Sequence, residues 1–255
     1  MPKLLLLRHG QSSFNNESKF CGWIDAPLTD TGREQANNTA LLLKTNELTK
    51  DIPIHLLVTS RLQRAVCTSN IILEKIGRMD MDEIKTWRLN ERHYGSFQGI
   101  KKNKILNEVG KEKFVYYRRG YSGCPPECDI ESEFYKDTIR IAKFDPELRE
   151  QPKLVPKCES LEMVINRLTP FWEGTILETL KKDENVLCVT HGSVVRGLLT
   201  ILYNLTHEEV ENLNIPNGMP ILIEFDEIFK PKKWIYLEPE KAKIEAELVK
   251  HDGLN

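Results

Sequence analysis

Two stretches of the sequence decide the fold: residues 3–10 read Lys-Leu-Leu-Leu-Leu-Arg-His-Gly, and residues 185–192 read Asn-Val-Leu-Cys-Val-Thr-His-Gly. Each contains a short apolar run that is continuous rather than alternating, which is typical of a strand buried on both faces of a parallel sheet. Each run stops abruptly at His-Gly. Because ligands of parallel sheets bind where the strands end, these stretches predict both a fold class and the location of a site.

Strands and helices alternate along the rest of the chain. Further strands are expected at residues 55–59, 84–87, 219–225 and 233–236, the last two near an edge. Helices are expected at about 32–44, after Ser60 as N-cap, irregularly over 101–121, over 159–182 with a kink at Pro170, over 193–205, and after 238. We therefore predict an α/β three-layer sandwich, with a mostly parallel central sheet, helices on both faces and one antiparallel edge strand.

Residues 122–158 are the hardest part of the chain to assign. Prolines at positions 125, 126, 146, 152 and 156 interrupt any long element. Long insertions in compact domains often act as lids. We expect a single domain over residues 1–255, with a lid-like insertion at about 101–158.

Composition restricts the function. The 255 residues carry a net charge of −2, with 40% hydrophobic and 29% charged residues, as in globular proteins. We expect no membrane span or signal peptide, a cytoplasmic location, and neither nucleic acid nor membrane as partner. An anionic ligand therefore needs a local cluster of Arg and Lys. The six cysteines are scattered, and only Cys124 and Cys128 are spaced like metal ligands; without a second pair they indicate free thiols and no metal site.

Residues 8–12, Arg-His-Gly-Gln-Ser, place a cation, an imidazole and polar donors at a strand exit. A histidine that is held neutral can attack phosphorus. Arginines such as Arg64, shortly after the second strand, can neutralise a transferring phosphoryl group. His191 follows another strand, and Gly192 opens a helix whose backbone N–H groups suit an anion. Together these residues indicate phosphoryl transfer.

Each of these residues also has an ordinary structural explanation. A single histidine after a strand is usually structural, and Arg64 could be a solvated helix residue. Glu91 could simply pair with Arg92. Only the combination of two strand-end His-Gly pairs, nearby arginines and a loop carboxylate favours a functional site.

The sequence resembles the cofactor-dependent phosphoglycerate mutases of the histidine phosphatase superfamily, in family order over nearly the whole chain. The matching stretches are Leu-Arg-His-Gly-Gln-Ser-x-x-Asn (7–15), Phe-Cys-Gly-Trp-x-Asp-x-x-Leu-Thr (20–29), Thr-Ser-x-Leu-x-Arg-Ala (59–65), Trp-Arg-Leu-Asn-Glu-Arg-His-Tyr-Gly-x-x-Gln-Gly (87–99), Tyr-Arg-Arg (117–119), Glu-Ser-Leu (159–161), His-Gly (191–192) and Leu-Asn-Ile-Pro-x-Gly-x-Pro (213–220). Arg-His-Gly alone indicates the superfamily, whereas the block at 87–99 is more specific for the mutases.

The resemblance implies a glycolytic and gluconeogenic interconversion of 3-phosphoglycerate and 2-phosphoglycerate. It uses 2,3-bisphosphoglycerate, which primes a phosphohistidine, and no metal. The implied catalytic residues are His9 as phosphoryl carrier, Glu91 as general acid and base, and Arg8, Arg64 and His191 around the phosphoryl group. The implied substrate-binding residues are Ser12, Asn15, Cys21, Gly22, Tyr94, Lys102, Arg118, Arg119, Gly192 and Ser193. Members of the family form dimers and tetramers, so a homodimer or homotetramer is implied.

Several positions depart from the family pattern. Phe14 replaces a usual Trp, Cys21 a Ser or Thr, Ser193 an Asn, and Asn217 a Thr. A thiol is a weaker donor than a hydroxyl, so at position 21 the backbone N–H is the better candidate for a contact. Residues 123–156 diverge most. These changes affect substrate affinity and lid closure rather than the phosphoryl-transfer residues.

Three rival functions remain open from the sequence. A bisphosphoglycerate mutase or phosphatase uses the same framework, and so does a broader phosphatase. Gly22 favours the glycolytic mutase, since bisphosphoglycerate mutases have Ser at the matching position. A non-catalytic phosphate-binding protein belongs to a different class; it would bind phosphoglycerate yet form no phosphohistidine.

Overall fold

The computed structural model describes residues 1–254 and contains one mixed sheet of six strands. These are β1 (Lys3–Arg8), β2 (Leu56–Thr59), β3 (Glu83–Lys85), β4 (Val186–Thr190), β5 (Ile221–Glu224) and β6 (Ile235–Tyr236), in the spatial order β3-β2-β4-β1-β5-β6. The first four run parallel, β5 is antiparallel to β1, and β6 is antiparallel to β5. The predicted fold class is confirmed, with the antiparallel strand β5 one place in from the edge strand β6.

Twelve α-helices accompany the sheet among residues 1–254. They are α1 (Ser13–Asn16), α2 (Asp30–Thr45), α3 (Gln63–Ile76), α4 (Lys102–Val109), α5 (Lys111–Arg119), α6 (Lys136–Phe144), α7 (Pro146–Glu150), α8 (Leu161–Phe171), α9 (Glu178–Leu180), α10 (Gly192–Tyr203), α11 (His207–Asn212) and α12 (Pro239–His251). A π-helical turn, Trp172–Leu177, joins α8 to α9, so the predicted helix over 159–182 is interrupted just after Pro170. The chain in residues 1–254 has no helix long and apolar enough to cross a membrane.

The two central strands explain why the sheet forms. Every residue of β4 and the four leucines of β1 are buried. Alternate side chains point to opposite faces, so one face packs on α8 and α10 and the other on α2 and α3. Burying an apolar side chain of this size contributes about 1.5–3 kcal/mol. A continuous apolar run is what such a doubly covered strand requires.

The prediction that Ser60 caps a helix is wrong. Helix α3 begins at Gln63, and its N-cap residue Leu62 makes no side-chain cap hydrogen bond. The Ser60 hydroxyl instead accepts from the Leu62 backbone N–H at 3.1 Å and lies 2.7 Å from His191 Nε2. The Ser60 hydroxyl is thus used in a tertiary contact with His191, rather than in the helix cap that a serine at this position predicts.

Residues 122–158 contain more helix than their prolines suggested. Pro146 occupies the first turn of α7, where its missing N–H costs nothing, and Asp145 caps that helix. Ile141 and Leu148 pack with Trp87 in a separate core cluster. The insertion is therefore anchored by its own apolar contacts, while its function as a lid stays a prediction.

Candidate active site

The carboxyl ends of β1 and β4 bring two histidines together. The strands pair with Arg8 opposite Thr190, and the His9 backbone N–H donates to the Thr190 carbonyl at 2.9 Å. The buried rings of His9 and His191 follow at once, with centroids 4.9 Å apart and an interplanar angle of 62°. Strand register alone therefore places the two predicted histidines side by side.

His9 is held as a neutral imidazole with a defined tautomer. Its Nδ1 lies 2.6 Å from the Gly10 carbonyl oxygen, which can only accept, so Nδ1 carries the proton and Nε2 carries the lone pair. Burial, reinforced by Arg64 and Arg8, lowers the pKa of His9 well below its usual value. The Asn217 amide also donates to the His9 carbonyl at 2.8 Å. A neutral, oriented imidazole is the form that attacks phosphorus.

Arg64 and Arg8 lie next to His9, and they differ in how many of their guanidinium N–H groups have hydrogen-bond partners. Arg64 Nε donates to His9 Nε2 at 3.2 Å, and its Nη2 donates to the Gly22 carbonyl at 2.7 Å. Arg8 Nη1 donates to the Ile215 carbonyl at 2.6 Å. Arg8 Nε is buried and has no hydrogen-bond partner among residues 1–254. A buried guanidinium N–H without a partner is suited to an anion at this point.

His191 stands behind His9 and does not itself line the open pocket. Burial, and then the charge of Arg64, lowers the pKa of His191 well below its usual value. Its Nε2 is bound to the Ser60 hydroxyl, and its Nδ1 is buried without a hydrogen-bond partner in the described part of the chain. One nitrogen of this neutral ring is thus hydrogen-bonded, whereas the other has its hydrogen-bonding capacity unused.

Glu91 enters the same pocket from the loop after the turn at Trp87–Leu89. Its Oε1 accepts from the backbone N–H of Arg92 at 2.8 Å and of Ser193 at 3.2 Å. Ser193 lies in the first turn of α10, whose N-terminus therefore meets the carboxylate. The carboxylate is thus fixed through Oε1.

The backbone that carries Glu91 is supported from below by a buried ion pair. Arg167 Nη2 donates to the Glu91 carbonyl at 3.1 Å, and Arg167 Nε pairs with Glu159 at 2.6 Å. Trp23 Nε1 donates to the same Glu91 carbonyl at 2.7 Å. Neither Arg167 nor Trp23 is recognisable as a support from sequence, since their contacts depend on chain packing.

A second group of cations, on α4 and α5, also lines the pocket; we call Lys102, Arg118 and Arg119 the cationic end. Lys102 forms an ion pair with Asp252, and Arg118 Nη2 lies 3.5 Å from the same carboxylate. Burial, with repulsion from Arg118 and Arg196, lowers the pKa of Arg119 well below its usual value. Buried like charges of this kind favour an anionic ligand.

The loop before α2 completes one wall. Ser12 caps α1 and bonds to Asn15, and it does not line the pocket, whereas Asn15 does. Cys21 lies in the wall, but its thiol contacts the Ile24 carbonyl at 3.4 Å. Gly22 has a φ of +52°, and a Cβ there would lie 2.0 Å from Gln98 Oε1. The positive φ and the close approach of the Gln98 side chain therefore favour glycine at position 22.

The structure brings most of the predicted residues to one pocket. Of the fifteen predicted, all but Ser12 and His191 line it, and both of these contact residues that do. The additional lining residues are Lys19, Phe20, Arg196, Ile215, Val249 and Asp252. Chemical roles for these residues stay predictions. No cluster of three or more His, Cys, Asp or Glu suited to a metal ion occurs within residues 1–254.

These features define a protein with a strand-end histidine, flanking arginines and a second histidine, and comparison with known proteins identifies the class. The chain matches the family model described as the histidine phosphatase superfamily (branch 1) over residues 4–136 and 126–232. The chain therefore belongs to the histidine phosphatase superfamily.

The relatives within that superfamily are mutases by name. The chain is 40% identical over 254 residues to phosphoglycerate mutase 1 of Saccharomyces cerevisiae, with 99% of each chain covered. It is 41% identical over 253 residues to the 2,3-bisphosphoglycerate-dependent phosphoglycerate mutase of Bifidobacterium longum, with 98% of each covered.

Solved structures agree on the fold. The phosphoglycerate mutase from Bacillus anthracis superposes with a TM-score of 0.65 at 20% identity, covering 96% of each chain. A mycobacterial glucosyl-3-phosphoglycerate phosphatase has a TM-score of 0.66 at 22% identity, covering 92% of this chain and 97% of that one. Mutase and phosphatase thus share this architecture, and the fold alone does not separate them.

Proposed function

We propose that the chain is a 2,3-bisphosphoglycerate-dependent phosphoglycerate mutase, interconverting 3-phosphoglycerate and 2-phosphoglycerate in glycolysis and gluconeogenesis. One observation carries this proposal: a neutral histidine and a fixed carboxylate line the same pocket as seven cationic side chains. Such a pocket fits a small substrate with a phosphate, a nearby hydroxyl and a second anionic group. The names of the relatives support the same assignment.

His9 is the phosphoryl carrier in this mechanism. As its Nε2 forms an N–P bond, the ester O–P bond breaks, and Arg8 and Arg64 balance the charge on the phosphoryl oxygens. His191 stands behind the ring, where its free Nδ1 can bind the same group. The cycle starts with His9 phosphorylated: the free hydroxyl of the substrate takes this phosphoryl group as the N–P bond breaks. His9 Nε2 then removes the phosphoryl group from the neighbouring oxygen, which isomerises the substrate and restores the phosphohistidine.

Glu91 moves the proton. In the acid form it donates to the oxygen that leaves phosphorus, and as carboxylate it takes the proton from the hydroxyl that attacks next. The backbone N–H groups of Arg92 and Ser193 hold Oε1 throughout, so the transfer uses Oε2. A positioned acid-base group of this kind contributes about 10²–10⁴-fold to the rate.

The residues present fit 2,3-bisphosphoglycerate. Seven cationic side chains line the pocket against two carboxylates, and one buried guanidinium N–H, that of Arg8, lacks a partner among residues 1–254. The cationic residues are Arg8, Lys19, Arg64, Lys102, Arg118, Arg119 and Arg196. When bound, this cofactor supplies the phosphoryl group that His9 carries. The proposed reaction uses arginine and lysine charge and requires no metal.

The proposal extends to the setting of the enzyme. It includes a cytoplasmic location, where free thiols such as that of buried Cys188 persist, and a homodimer or homotetramer. It also includes one domain over residues 1–255, with the insertion at about 101–158 acting as a lid. Phosphoglycerates are the only partners it requires.

The deciding experiment is conversion of 3-phosphoglycerate to 2-phosphoglycerate by the full chain in excess chelator, with and without trace 2,3-bisphosphoglycerate. Turnover that survives chelator and rises with the bisphosphate supports the mutase. Steady phosphate release without the isomer would instead identify a phosphatase, and binding without turnover a non-catalytic protein.

The nucleophile is tested with His9→Ala. We expect turnover to fall by about 10⁴-fold or more and the acid-labile phosphohistidine to disappear, because His9 lines the pocket whereas the neighbouring His191 is buried outside it. His207→Ala, at a histidine on α11 outside the pocket, is the control and should retain both. Phosphohistidine formed by the His9 variant would refute the assignment.

A further inference from the structure

A carboxylate of the chain itself lies in the cationic end. Asp252 directly follows α12, and its side chain accepts hydrogen bonds from Lys102 Nζ and from the Ser18 hydroxyl. Arg118 Nη2 lies 3.5 Å away, with its side chain only 9% exposed. Asp252 and Glu91 are the two carboxylates of a pocket that seven cationic side chains also line.

The tail that carries this carboxylate is docked by several contacts. Arg118 and Arg119 donate to the Val249 carbonyl at 3.0 and 3.3 Å. Gly253 packs so tightly that a Cβ there would lie 2.4 Å from Lys102 Cβ. Leu254 packs against the apolar cluster of Phe20, Phe97, Ile105 and Phe114. Asp252 is therefore held in the site by the chain on both sides of it.

The carboxylate is ionised where it lies. Burial by itself would raise the pKa of Asp252, but the charge and hydrogen bond of Lys102, the Ser18 hydroxyl and Arg118 lower it below its usual value. The groups that face it are thus the same donors that an anionic substrate would use. Two anions cannot share Lys102 and Arg118 without strong repulsion.

We propose that Asp252 is a specificity-determining residue that occupies the place of the substrate's second anionic group. A ligand with two anionic groups must displace the carboxylate from Lys102 and Arg118, and the displaced contacts set its affinity. This inference rests on the proposed function, since it assumes a phosphoglycerate whose two anionic ends reach both sides of the pocket. The phosphoryl-transfer residues are not altered by it.

The test compares full-length wild type with Asp252→Asn by calorimetric titration of 3-phosphoglycerate. Removing the competing charge should tighten binding by about tenfold. Asp252→Glu, which keeps the charge, should remain close to wild type. Glu247→Gln is the matched control, because Glu247 lies on the same helix, 59% exposed, and pairs with Lys250 outside the pocket.

The outcomes separate the two proposals. Equal or weaker binding by Asp252→Asn overturns the inference, because the carboxylate would then organise the cations rather than compete for them. If 3-phosphoglycerate binds neither protein, the proposed function fails and the inference falls with it. If Glu247→Gln also binds 3-phosphoglycerate more tightly than wild type, the effect comes from the net charge of the protein. That result would also overturn the inference.

A second, independent observation concerns two thiols at the base of the insertion. The sulfur atoms of Cys124 and Cys158 lie 3.0 Å apart although the residues are 34 positions apart in sequence. Both are half-buried, and the backbone pairing of Cys128 N–H with the Lys157 carbonyl at 3.0 Å holds the two segments together. The thiol nearest to Cys124 in this pair of segments is thus that of Cys158.

We infer that Cys124 and Cys158 form a reversible disulfide with a low-molecular-weight disulfide as oxidant. Deprotonated Cys124 attacks one sulfur of the oxidant, which releases one thiolate and leaves a mixed disulfide. Cys158 then loses its proton and attacks the Cys124 sulfur, releasing the second thiolate. Two protein thiols are oxidised by two electrons, and one small disulfide is reduced to two thiols.

Oxidised glutathione is the probe, and peptide mapping by mass spectrometry is the measurement. A Cys124–Cys158 cross-link that dithiothreitol removes is expected, with the unfolding midpoint raised by about 5 °C because the closed loop restricts the unfolded chain. Cys124→Ser should abolish both effects, while Cys67→Ser, at a half-buried thiol on α3, should retain them. Separate glutathione adducts on the two cysteines, or a cross-link to Cys128, would overturn the inference.

Discussion

The two sides of the pocket are built in different ways. The transfer end, which comprises Arg8, His9, Arg64, Glu91 and His191, is set mainly by strand register and buried backbone contacts. The cationic end is set by long side chains from α4 and α5 and by the tail after α12. The transfer end holds two neutral imidazoles in one geometry, whereas the cationic end holds charged groups on long, flexible side chains.

This difference has a chemical purpose under the proposed function. A phosphoryl transfer needs its nucleophile and acid within a fraction of an ångström of the right place, which a sheet edge supplies. Recognition of a second anion needs charge more than geometry, and Lys and Arg can shift while retaining it. We therefore expect changes at the transfer end to reduce kcat and changes at the cationic end to raise KM.

The largest effect should come from Glu91→Gln. The amide oxygen can still accept from Ser193 and Arg92, but the side chain cannot exchange a proton, so kcat should fall by about 10²–10⁴-fold with little change in KM. Steady-state mutase kinetics provide the measurement. An unchanged kcat would show that Glu91 is not the acid-base group. It would also contradict the expectation that changes at the transfer end reduce kcat.

Next in size is Lys102→Met, which keeps the apolar stem and removes the charge. KM should rise by about 10–100-fold while kcat changes much less, because the lost contact acts on the substrate before and during transfer alike. Lys101→Met is the control, since Lys101 is the exposed neighbour and lies outside the pocket. A fall in kcat alone would show that the cationic end takes part in the transfer.

Gly22→Ser tests how tightly the wall of the transfer end is packed. The positive φ and the clash with Gln98 should together cost about 1–3 kcal/mol of unfolding free energy, and the Trp23 backbone N–H should lose Gln98 Oε1 as its acceptor. Gly77→Ser is a matched control, with a φ of +76° but no atom within 4 Å of the added Cβ. Equal losses in chemical denaturation would mean that backbone strain alone requires the glycine.

The smallest expected effect is on the pH dependence of stability, which should differ between the transfer end and the cationic end. His9 and His191 have pKa values lowered by burial, so the unfolded chain binds protons first as pH falls below about 6.5. The contribution of these two neutral histidines to the free energy of unfolding is therefore fully present above about pH 6.5 and decreases below it. At pH 5 the loss is at most about 2 kcal/mol per histidine. Asp252 has a lowered pKa, so its contribution is lost only below about pH 4.

Denaturant titrations from pH 7 to pH 3.5 measure this separation. His191→Asn should flatten the slope between pH 6.5 and 5, while Asp252→Asn should leave that slope intact. Buried His93, whose pKa is lowered to about 3 by burial and by Arg167, adds to the slope in both proteins. The same slope in His191→Asn and wild type would contradict a neutral, buried His191.

The parts of the fold that sequence predicted correctly are those that depend on burial. β1 and β4 were recognisable because a strand covered on both faces tolerates few polar side chains. The helices of residues 122–158 were missed because proline was taken as a breaker, although at the first turn of α7 it is favourable. Ser60 was misassigned because its preferred partner, His191, lies 131 residues away.

The residues of the candidate site likewise differ in how far the sequence predicts them. His9 and His191 were found from the ends of two apolar runs, with Arg8, Arg64 and Glu91 as nearby charged residues, whereas Lys102, Arg118 and Arg119 came only from the resemblance. Asp252 carried no signal, because an acidic residue in a charged tail is normally solvated. Arg167 was likewise unrecognised, since its role depends on carbonyl groups of residues about 80 positions earlier.

By itself the sequence determined the α/β class, the central pair of strands and the presence of a strand-end histidine with arginines nearby. These follow from hydrophobic patterning, which acts locally along the chain. Tertiary structure alone decided the tautomer of His9, the attachment of Glu91 to the start of α10, and the insertion of Asp252 between Lys102 and Arg118. Hydrogen bonds and ion pairs are short-ranged and directional, so they exist only after packing has brought distant residues into contact.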